Sequence, residues 1–115
     1  MATSVQTDLP LLNVRGRAAL PIVQGGMGVG ISAHRLAGTV ASVGAVGTLS
    51  SVDLRRHHED LMEATGKSRD KDEIDRANLV ALDREVKAAL TLSEGRGIVA
   101  VNIMRAVTEY AGYVR

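Results

Sequence analysis

Apolar residues along this chain follow two different patterns. Short, mostly apolar runs occupy residues 21–24, 46–49 and 98–101, and each run is followed by glycine or a polar residue. Between the first two runs, apolar residues recur at intervals of three and four. The continuous runs predict buried strands, whereas the three-and-four spacing predicts an amphipathic helix. The helical stripe consists of Ala33, Leu36, Ala37, Val40 and Ala41.

Residues at the two ends of this stripe predict where the first helix starts and stops. Ser32 can cap the N-terminus, because a serine hydroxyl accepts hydrogen bonds from exposed backbone N–H groups. Gly44 suits the left-handed position that follows a helix. With its flanking strands the helix forms a βαβ unit, whose strands are expected to be parallel and whose crossover is expected to be right-handed. We therefore predict an α/β fold in which residues 21–24, 46–49 and 98–101 are neighbouring parallel strands.

The remaining segments predict a hairpin or leader and further helices. Residues 9–20 contain short apolar pieces interrupted by proline, glycine and two arginines, a pattern compatible with a small hairpin or with a loose leader. A short helix begins near Ser51 and is broken at residues 66–68, and a longer helix follows and ends at Gly95. Thr108 is a candidate cap for a final helix. The predicted buried stripe of the longer helix is Leu79, Leu82, Val86, Ala89 and Leu90.

The most informative segment is the glycine-rich turn after the first strand. Four of residues 25–30 are glycine, which permits positive φ angles and lets a ligand approach the backbone. The N-terminus of the next helix adds unpaired N–H groups. Met27 can lie against a flat ring, and Asn102 ends a strand at the edge where parallel α/β sheets bind ligands. The predicted cofactor-binding residues are Gly25, Gly26, Met27, Gly28 and Asn102.

Two other interpretations of this turn remain open. The turn can be a structural connection, in which Met27 fills a gap and Asn102 caps a strand end. Alternatively, residues 28–33 match the G-x-G-x-x-G/A fingerprint of dinucleotide-binding folds, and Asp53 lies about 20 residues further on. In that fingerprint the first glycine follows the strand directly, whereas residues 25–27 intervene here. The spacing therefore disfavours a dinucleotide site.

Three blocks of sequence carry a resemblance to a known family. The first is Pro-Ile-Val-Gln-Gly-Gly-Met-Gly-Val-Gly-Ile-Ser at residues 21–32, continued by His-Arg-Leu-Ala at 34–37. The second is Gly-Ala-Val-Gly-Thr-Leu-Ser at 44–50, and the third is Val-Asn-Ile-Met at 101–104. In this order they resemble the opening of the nitronate monooxygenase family, formerly called 2-nitropropane dioxygenases. The resemblance covers roughly residues 12–50 and 97–115, and the middle is much less similar.

The resemblance implies a fold, a cofactor and an activity. The family has a (β/α)8 barrel that carries FMN and oxidises alkyl nitronates or nitroalkanes with molecular oxygen. Its Gly-Met turn faces the flavin, and an asparagine at the end of a later strand hydrogen-bonds the cofactor. These roles correspond to Gly26, Met27 and Asn102. The flavin-dependent enoyl-acyl-carrier-protein reductases resemble the family in the same turn, so they are an alternative, and a non-catalytic α/β fragment or interaction module is another.

The length of the chain bears on what these residues can do alone. A (β/α)8 barrel typically needs about 250 residues, and this chain has 115. We therefore expect residues 1–115 to form one incomplete domain, the N-terminal βα units of a barrel. The resemblance implies that the catalytic histidine and the flavin phosphate site lie beyond Arg115, so no catalytic residue is assigned here. The isolated chain is expected to be inactive and to self-associate through its open sheet edges.

Composition narrows the classes of partner. The 14 basic and 13 acidic residues give a net charge of +1, and a nucleic-acid interface would need a clustered basic face. Cysteine is absent, which is compatible with a reducing compartment. We find no signal-peptide pattern and no apolar run of membrane-spanning length. We therefore expect a cytoplasmic protein that acts on a small molecule, without nucleic-acid or membrane partners.

The histidines give no specific chemistry at the level of sequence. His34 falls on the polar side of the first helix, so we expect a surface side chain. His57 and His58 precede two acidic residues, but adjacent residues on a helix point about 100° apart, unlike the i, i+4 pairs that bind metals. We expect them to lie on a solvated charged face, and no metal site is predicted.

Overall fold

The computed structural model describes residues 7–103 and begins with a small hairpin. Strand β1 (Leu12–Val14) pairs antiparallel with β2 (Arg17–Ala19). Arg15 and Gly16 form the connection, and both have positive φ angles, of 50° and 82°. Two such residues in a two-residue loop match the twist of the flanking strands. Of the two alternatives for residues 9–20, the hairpin is therefore the one observed.

The three predicted core segments lie side by side and run parallel. Strand β3 (Val46–Ser50) pairs in parallel with β4 (Ile98–Asn102). On the other side of β3, Val23 forms a parallel bridge to Val46. The backbone N–H of Gln24 donates to the carbonyl of Val46 at 2.9 Å, and the N–H of Val46 donates to the carbonyl of Ile22 at 3.0 Å. The predicted parallel arrangement is confirmed, although the first segment forms only this short bridge.

Helices connect the parallel segments. Helix α1 (His34–Ser42) leads into β3, and Gly44 follows it with a φ of 97°, as predicted for the left-handed position. After β3 come a 3-10 turn (Leu54–His57), α2 (Glu59–Thr65) and the long α3 (Lys71–Ser93). The predicted break at residues 66–68 separates α2 from α3. The prediction for Thr108 lies outside the described residues.

Helices α1 and α3 pack on the same face of the parallel sheet. Ala37 of α1 and Ala89 of α3 are fully buried against Leu49 of β3. A second cluster joins the 3-10 turn to α3 through Leu54, Ala81 and Leu82. Because strand side chains alternate between faces, the other face of the sheet carries the remaining strand residues. These are Val46, Thr48 and Ser50 of β3, and Ile98, Ala100 and Asn102 of β4.

The buried stripe of α3 differs from the predicted one. Leu90 is 50% exposed, so its inclusion in the stripe was wrong. Residues spaced four apart face α1 and the sheet instead, and most of them are small. Because these side chains are small, α1 lies close to α3. A Cβ built on Gly38 of α1 would lie 2.7 Å from the Cβ of Leu92 of α3. The buried residues of α3 are Ala77, Asn78, Ala81, Leu82, Glu85, Ala89 and Ser93.

These elements make the described part of the chain a mixed α/β structure with one antiparallel and one parallel sheet. None of the helices within residues 7–103 combines the length and apolar character that crossing a bilayer requires.

Gly47 tests the close contact between α1 and β3. A Cβ built on Gly47 would lie 1.9 Å from the carbonyl oxygen of Ala37, so backbone would have to move to accommodate it. We expect Gly47→Ala to lower the free energy of unfolding by about 3 kcal/mol, the upper part of the usual cost of overpacking. Urea denaturation measures this change. Gly25→Ala is the matched control, because a Cβ there meets nothing within 4 Å; equal losses in both variants would contradict the packing account.

Candidate functional site

The glycine-rich segment forms a loop that leaves the sheet and returns to it. The first parallel segment stops pairing with β3 after Gln24. Residues 25–31 then loop out, and the chain returns at Ser32, whose carbonyl accepts a hydrogen bond from the N–H of Ser50 at 2.9 Å. The N–H of Ser32 also donates to the carbonyl of Met27 at 2.9 Å. The loop is thus closed at its base on the edge of β3.

Two side chains hold the base of this loop. The side-chain oxygen of Gln24 accepts a hydrogen bond from the N–H of Thr48 at 3.0 Å, in place of a backbone carbonyl. The side-chain nitrogen of Gln24 donates to Oγ of Ser32 at 2.7 Å, and Oγ of Ser32 donates to the carbonyl of Thr48. Ser32 is fully buried. We call these three residues the loop clasp.

The clasp corrects the predicted role of Ser32. Helix α1 begins at His34 after Ala33, and no side chain of the N-cap residue bonds its first turn. The hydroxyl of Ser32 is already committed to Thr48 and Gln24. A buried edge of β3 without a neighbouring strand would leave backbone groups unpaired, and Ser32 meets that need instead of capping the helix.

The loop lies over the face of the sheet that the helices leave free, at the carboxyl ends of the strands. A Cβ built on Gly26 would lie 3.0 Å from Cβ and 3.3 Å from Nδ2 of Asn102, and 3.5 Å from the methyl group of Thr48. Gly28 lies in the same way over Oγ of Ser50, at 3.3 Å. The structure therefore brings Gly26 and Asn102 of the predicted site together.

Asn102 is fixed by its backbone and exposed at its side chain. Its carbonyl accepts hydrogen bonds from the N–H and from Oγ of Ser51, at 3.2 and 2.9 Å. Its side-chain amide has no hydrogen-bond partner among residues 7–103. Gly25 has open space around it, and the side chain of Met27 is 46% exposed. The surface thus offers an amide, an apolar thioether and uncovered backbone, which suit a flat, partly polar ligand.

Asp53 has a structural role that occupies its carboxylate. In a dinucleotide-binding fold the corresponding acidic residue binds the ribose of the cofactor. Asp53 adopts a left-handed conformation with a φ of 46°. Its carboxylate accepts a hydrogen bond from Nε of Arg55 at 2.9 Å and another from Arg56. Burial raises the pKa of this carboxyl, but the hydrogen bonds from both arginines outweigh burial and hold the pKa below its ordinary value. In addition, helix α1 starts four residues after Gly30. The engaged carboxylate of Asp53 and the late start of α1 both differ from the dinucleotide-binding turn.

Three histidines gather near α3, which the sequence analysis did not anticipate. Glu85 is 2% exposed, and its carboxylate lies 2.9 and 3.0 Å from Nδ1 of His34. It also accepts a hydrogen bond from the N–H of His34 at 3.3 Å. Nε2 of His58 lies 3.6 Å from the same carboxylate. The prediction of a solvated face is therefore wrong for His58, whose side chain is 17% exposed, whereas His57 is exposed. His34 keeps a side chain that is 36% exposed, and its carboxylate partner is what the sequence did not reveal.

The signal that could have revealed this cluster is the position of Glu85. It lies four residues from Ala81 and four from Ala89, both of which are fully buried. A charged residue at that spacing must find a partner on a neighbouring element, because an unpaired buried charge is costly. The first turn of α1 supplies it.

A cleft of about 450 Å³ opens beside this cluster. Its polar lining comes from His34, Arg35, His57 and Glu85, and Ile31 and Leu36 contribute apolar surface. Gly30 connects the cleft to the loop, since a Cβ there would overlap the ring of His57 at 1.5 Å. Within residues 7–103 no group of three His, Asp or Glu side chains has an arrangement that could hold a metal ion.

Comparisons with known proteins provide no assignment for this site. Family models, curated proteins and solved structures were all searched, and none matches the chain. The assignment therefore depends on the residues and their geometry.

Ser32 tests the loop clasp. Ser32→Ala removes the buried donor to the carbonyl of Thr48 and one of the two acceptors of the side-chain nitrogen of Gln24, the other being the carbonyl of Gly25. We expect a loss of about 2 kcal/mol in the free energy of unfolding and faster proteolytic cleavage within residues 25–31. Ser42→Ala is the matched control, because that hydroxyl bonds only the carbonyl of Thr39 in its own helix. Unchanged stability in Ser32→Ala would contradict the clasp.

Asp53 predicts a change of stability with pH. Its pKa is below the ordinary value of 3.8 in the folded protein, so the ionised form stabilises the fold above that pH. This contribution is lost as the pH falls through the lower, folded-state pKa. We expect Asp53→Asn to be less stable than the parent at pH 7, with a difference that shrinks at about pH 3. Urea denaturation at both pH values measures it, with exposed Asp83→Asn as control; a constant difference would exclude the mechanism.

Proposed function

We propose that this chain is the flavin-facing part of an FMN-dependent oxidoreductase that oxidises alkyl nitronates with molecular oxygen, and that its parallel segments are the first strands of a (β/α)8 barrel. The observation that carries the proposal is the contact between the glycine loop and Asn102. Gly26 and Asn102 are 76 positions apart in sequence, yet they lie together at the carboxyl edge of the sheet, where a Cβ built on Gly26 would be 3.0 Å from Cβ of Asn102. The family resemblance assigns both of them to the flavin.

The residues at this edge fit an isoalloxazine ring. Gly26 presents backbone without a side chain, and a Cβ there would crowd the amide of Asn102. That amide can donate to a ring carbonyl or accept from a ring N–H. The half-exposed thioether of Met27 is polarizable and can lie against the ring face. The loop clasp holds the ends of the loop that carries Gly26 and Met27, and Ser51 holds the backbone of Asn102, which lowers the cost of ordering these groups on binding.

The fold is compatible with the barrel part of the proposal. In a (β/α)8 barrel, successive strands are parallel neighbours, helices cover the outer face, and binding loops lie at the carboxyl ends of the strands. The described segments have this order, with α1 and α3 on one face and the glycine loop at the carboxyl end of the other. The same order of strands and helices also occurs in one half of a doubly wound sheet. The proposed function therefore depends on the residues of the site and not on the order of the elements.

Each group would have a defined task. The loop backbone and Asn102 would bind and orient the ring, and Met27 would exclude water from one of its faces. Bound FMN would supply the electron acceptor that the side chains of residues 7–103 lack. The resemblance leaves the catalytic base outside these residues, so no proton transfer in the flavin reaction is assigned to them.

The proposal is tested on the full-length protein with FMN and propyl nitronate. We expect a flavin absorption band after purification and oxygen consumption with the nitronate. Asn102→Ala should weaken FMN binding about tenfold, the loss of one well-placed hydrogen bond, and Gly26→Val should weaken it further by filling the ring position. Flavin fluorescence measures the affinity. Asn13→Ala, which changes an exposed asparagine in strand β1 of the hairpin, is the matched control and should bind FMN normally.

The outcomes separate the candidate functions. A flavin protein that reduces an enoyl thioester and leaves the nitronate unchanged would support the enoyl-acyl-carrier-protein reductase alternative. A protein that binds no flavin, or that binds it equally well with Asn102→Ala and Gly26→Val, would contradict the proposed site.

A further inference from the structure

The cleft beside Gly30 contains a buried carboxylate whose partners are imidazoles. Glu85 lies in the interior between α1 and α3. Within residues 7–103 its carboxylate contacts the N–H and Nδ1 of His34 and Nε2 of His58. Replacing such a polar arrangement with apolar packing is often neutral or stabilising. A buried carboxylate that orients a histidine at a cleft is therefore better explained by chemistry than by stability.

The geometry determines which nitrogen of His34 can react. Both carboxylate oxygens lie within 3.0 Å of Nδ1, so Nδ1 carries the proton of the neutral ring. The lone pair then resides on Nε2, which has no hydrogen-bond partner among residues 7–103. His34 lines the cleft and is partly exposed there. A carboxylate in this position fixes the tautomer and stabilises the imidazolium that forms when Nε2 accepts a proton.

The rest of the cleft can hold a small amphipathic molecule. Its volume of about 450 Å³ falls in the usual range of small-molecule sites. Ile31 and Leu36 supply apolar surface, and His57 brings a second imidazole. Gly30 makes room for that ring, since any side chain at Gly30 would overlap it.

We propose that this cleft is a proton-transfer site for small neutral carbonyl compounds, with His34 as the catalytic base and Glu85 as a positioning residue. Nε2 of His34 takes a proton from the carbon next to the carbonyl group. The electron pair of the broken C–H bond forms the C=C bond of the enol, and the carbonyl π pair moves to the oxygen. That oxygen receives a hydrogen bond or a proton from His57. Return of a proton from His34 to carbon, with any proton on the oxygen going back to His57, restores the carbonyl compound, so no oxidant or reductant is consumed.

This site is separate from the proposed flavin surface. The flavin surface comprises the start of the loop and Asn102, whereas the cleft lies between the end of the loop, α1 and α3. The proposed exchange needs no flavin, so it can succeed or fail independently of the proposed oxidoreductase activity.

The test is hydrogen–deuterium exchange into 2-butanone. The full-length protein, stripped of any flavin, is incubated with the ketone in D2O, and loss of the α-proton signals is followed by NMR. We expect exchange above the buffer rate. His34→Gln should reduce the protein-dependent rate about 100-fold, and Glu85→Gln should reduce it by at least about tenfold. Lys87→Gln, which changes an exposed side chain of α3 outside the cleft, should stay within about twofold.

Two further measurements separate chemistry from folding. In the parent protein, ¹⁵N NMR should show His34 protonated on Nδ1, and Glu85→Gln should shift the tautomer toward protonation on Nε2. Added imidazole should restore part of the exchange to His34→Ala, because free imidazole can occupy the vacated space. No exchange by the parent protein, an unchanged rate in His34→Gln, or a His34 ring protonated on Nε2 in the parent would overturn the proposal.

Discussion

The hydrogen bonds among Gln24, Ser32 and Thr48 are the constraint on which the rest of the site depends. The first parallel segment is too short to pair with the full length of β3, so the edge of β3 needs other partners. The side chain of Gln24 takes the place of a carbonyl, and Ser32 returns the chain to the same edge. Because the two ends of the loop are held so close together, residues 25–31 must project over the carboxyl end of the sheet.

Small residues at the contacts between helices, sheet and loop leave a surface exposed for ligand binding. Gly47 and Ala37 let α1 lie directly on β3, and Gly38 lets α3 lie directly on α1. Both helices therefore occupy one face, and the other face remains available to the loop at the level of Thr48 and Asn102. Glycine at position 26 then leaves the Asn102 amide uncovered, whereas a larger side chain there would cover it. The same loop ends at Gly30, where the absence of a side chain admits the ring of His57 into the cleft.

Patterns that depend on neighbouring residues were predictable, and so was the shared edge of the parallel strands, whereas side-chain hydrogen bonds between distant segments were not. The apolar runs at 46–49 and 98–101 identified β3 and β4, and Gly44 marked the end of α1. Ser32 was predicted to be a helix cap, because the need of β3 for an edge partner has no local signal. The pairing of His34 with Glu85 had no local signal either, because the two residues lie 51 positions apart. Within the candidate site, the pairing of Gly26 with Asn102 followed from the rule that parallel strands end at one edge.

The central claim is that the clasped glycine loop and Asn102 together form the flavin surface. The most direct measurement is a titration of the isotope-labelled protein with FMN, followed by amide and methyl NMR. The account predicts that the largest shifts occur at Gly26, at the Met27 methyl group and at the Asn102 side-chain amide, with small changes around His34 and Glu85. Tight FMN binding that leaves those three signals unchanged, or that shifts chiefly the cleft residues, would contradict it.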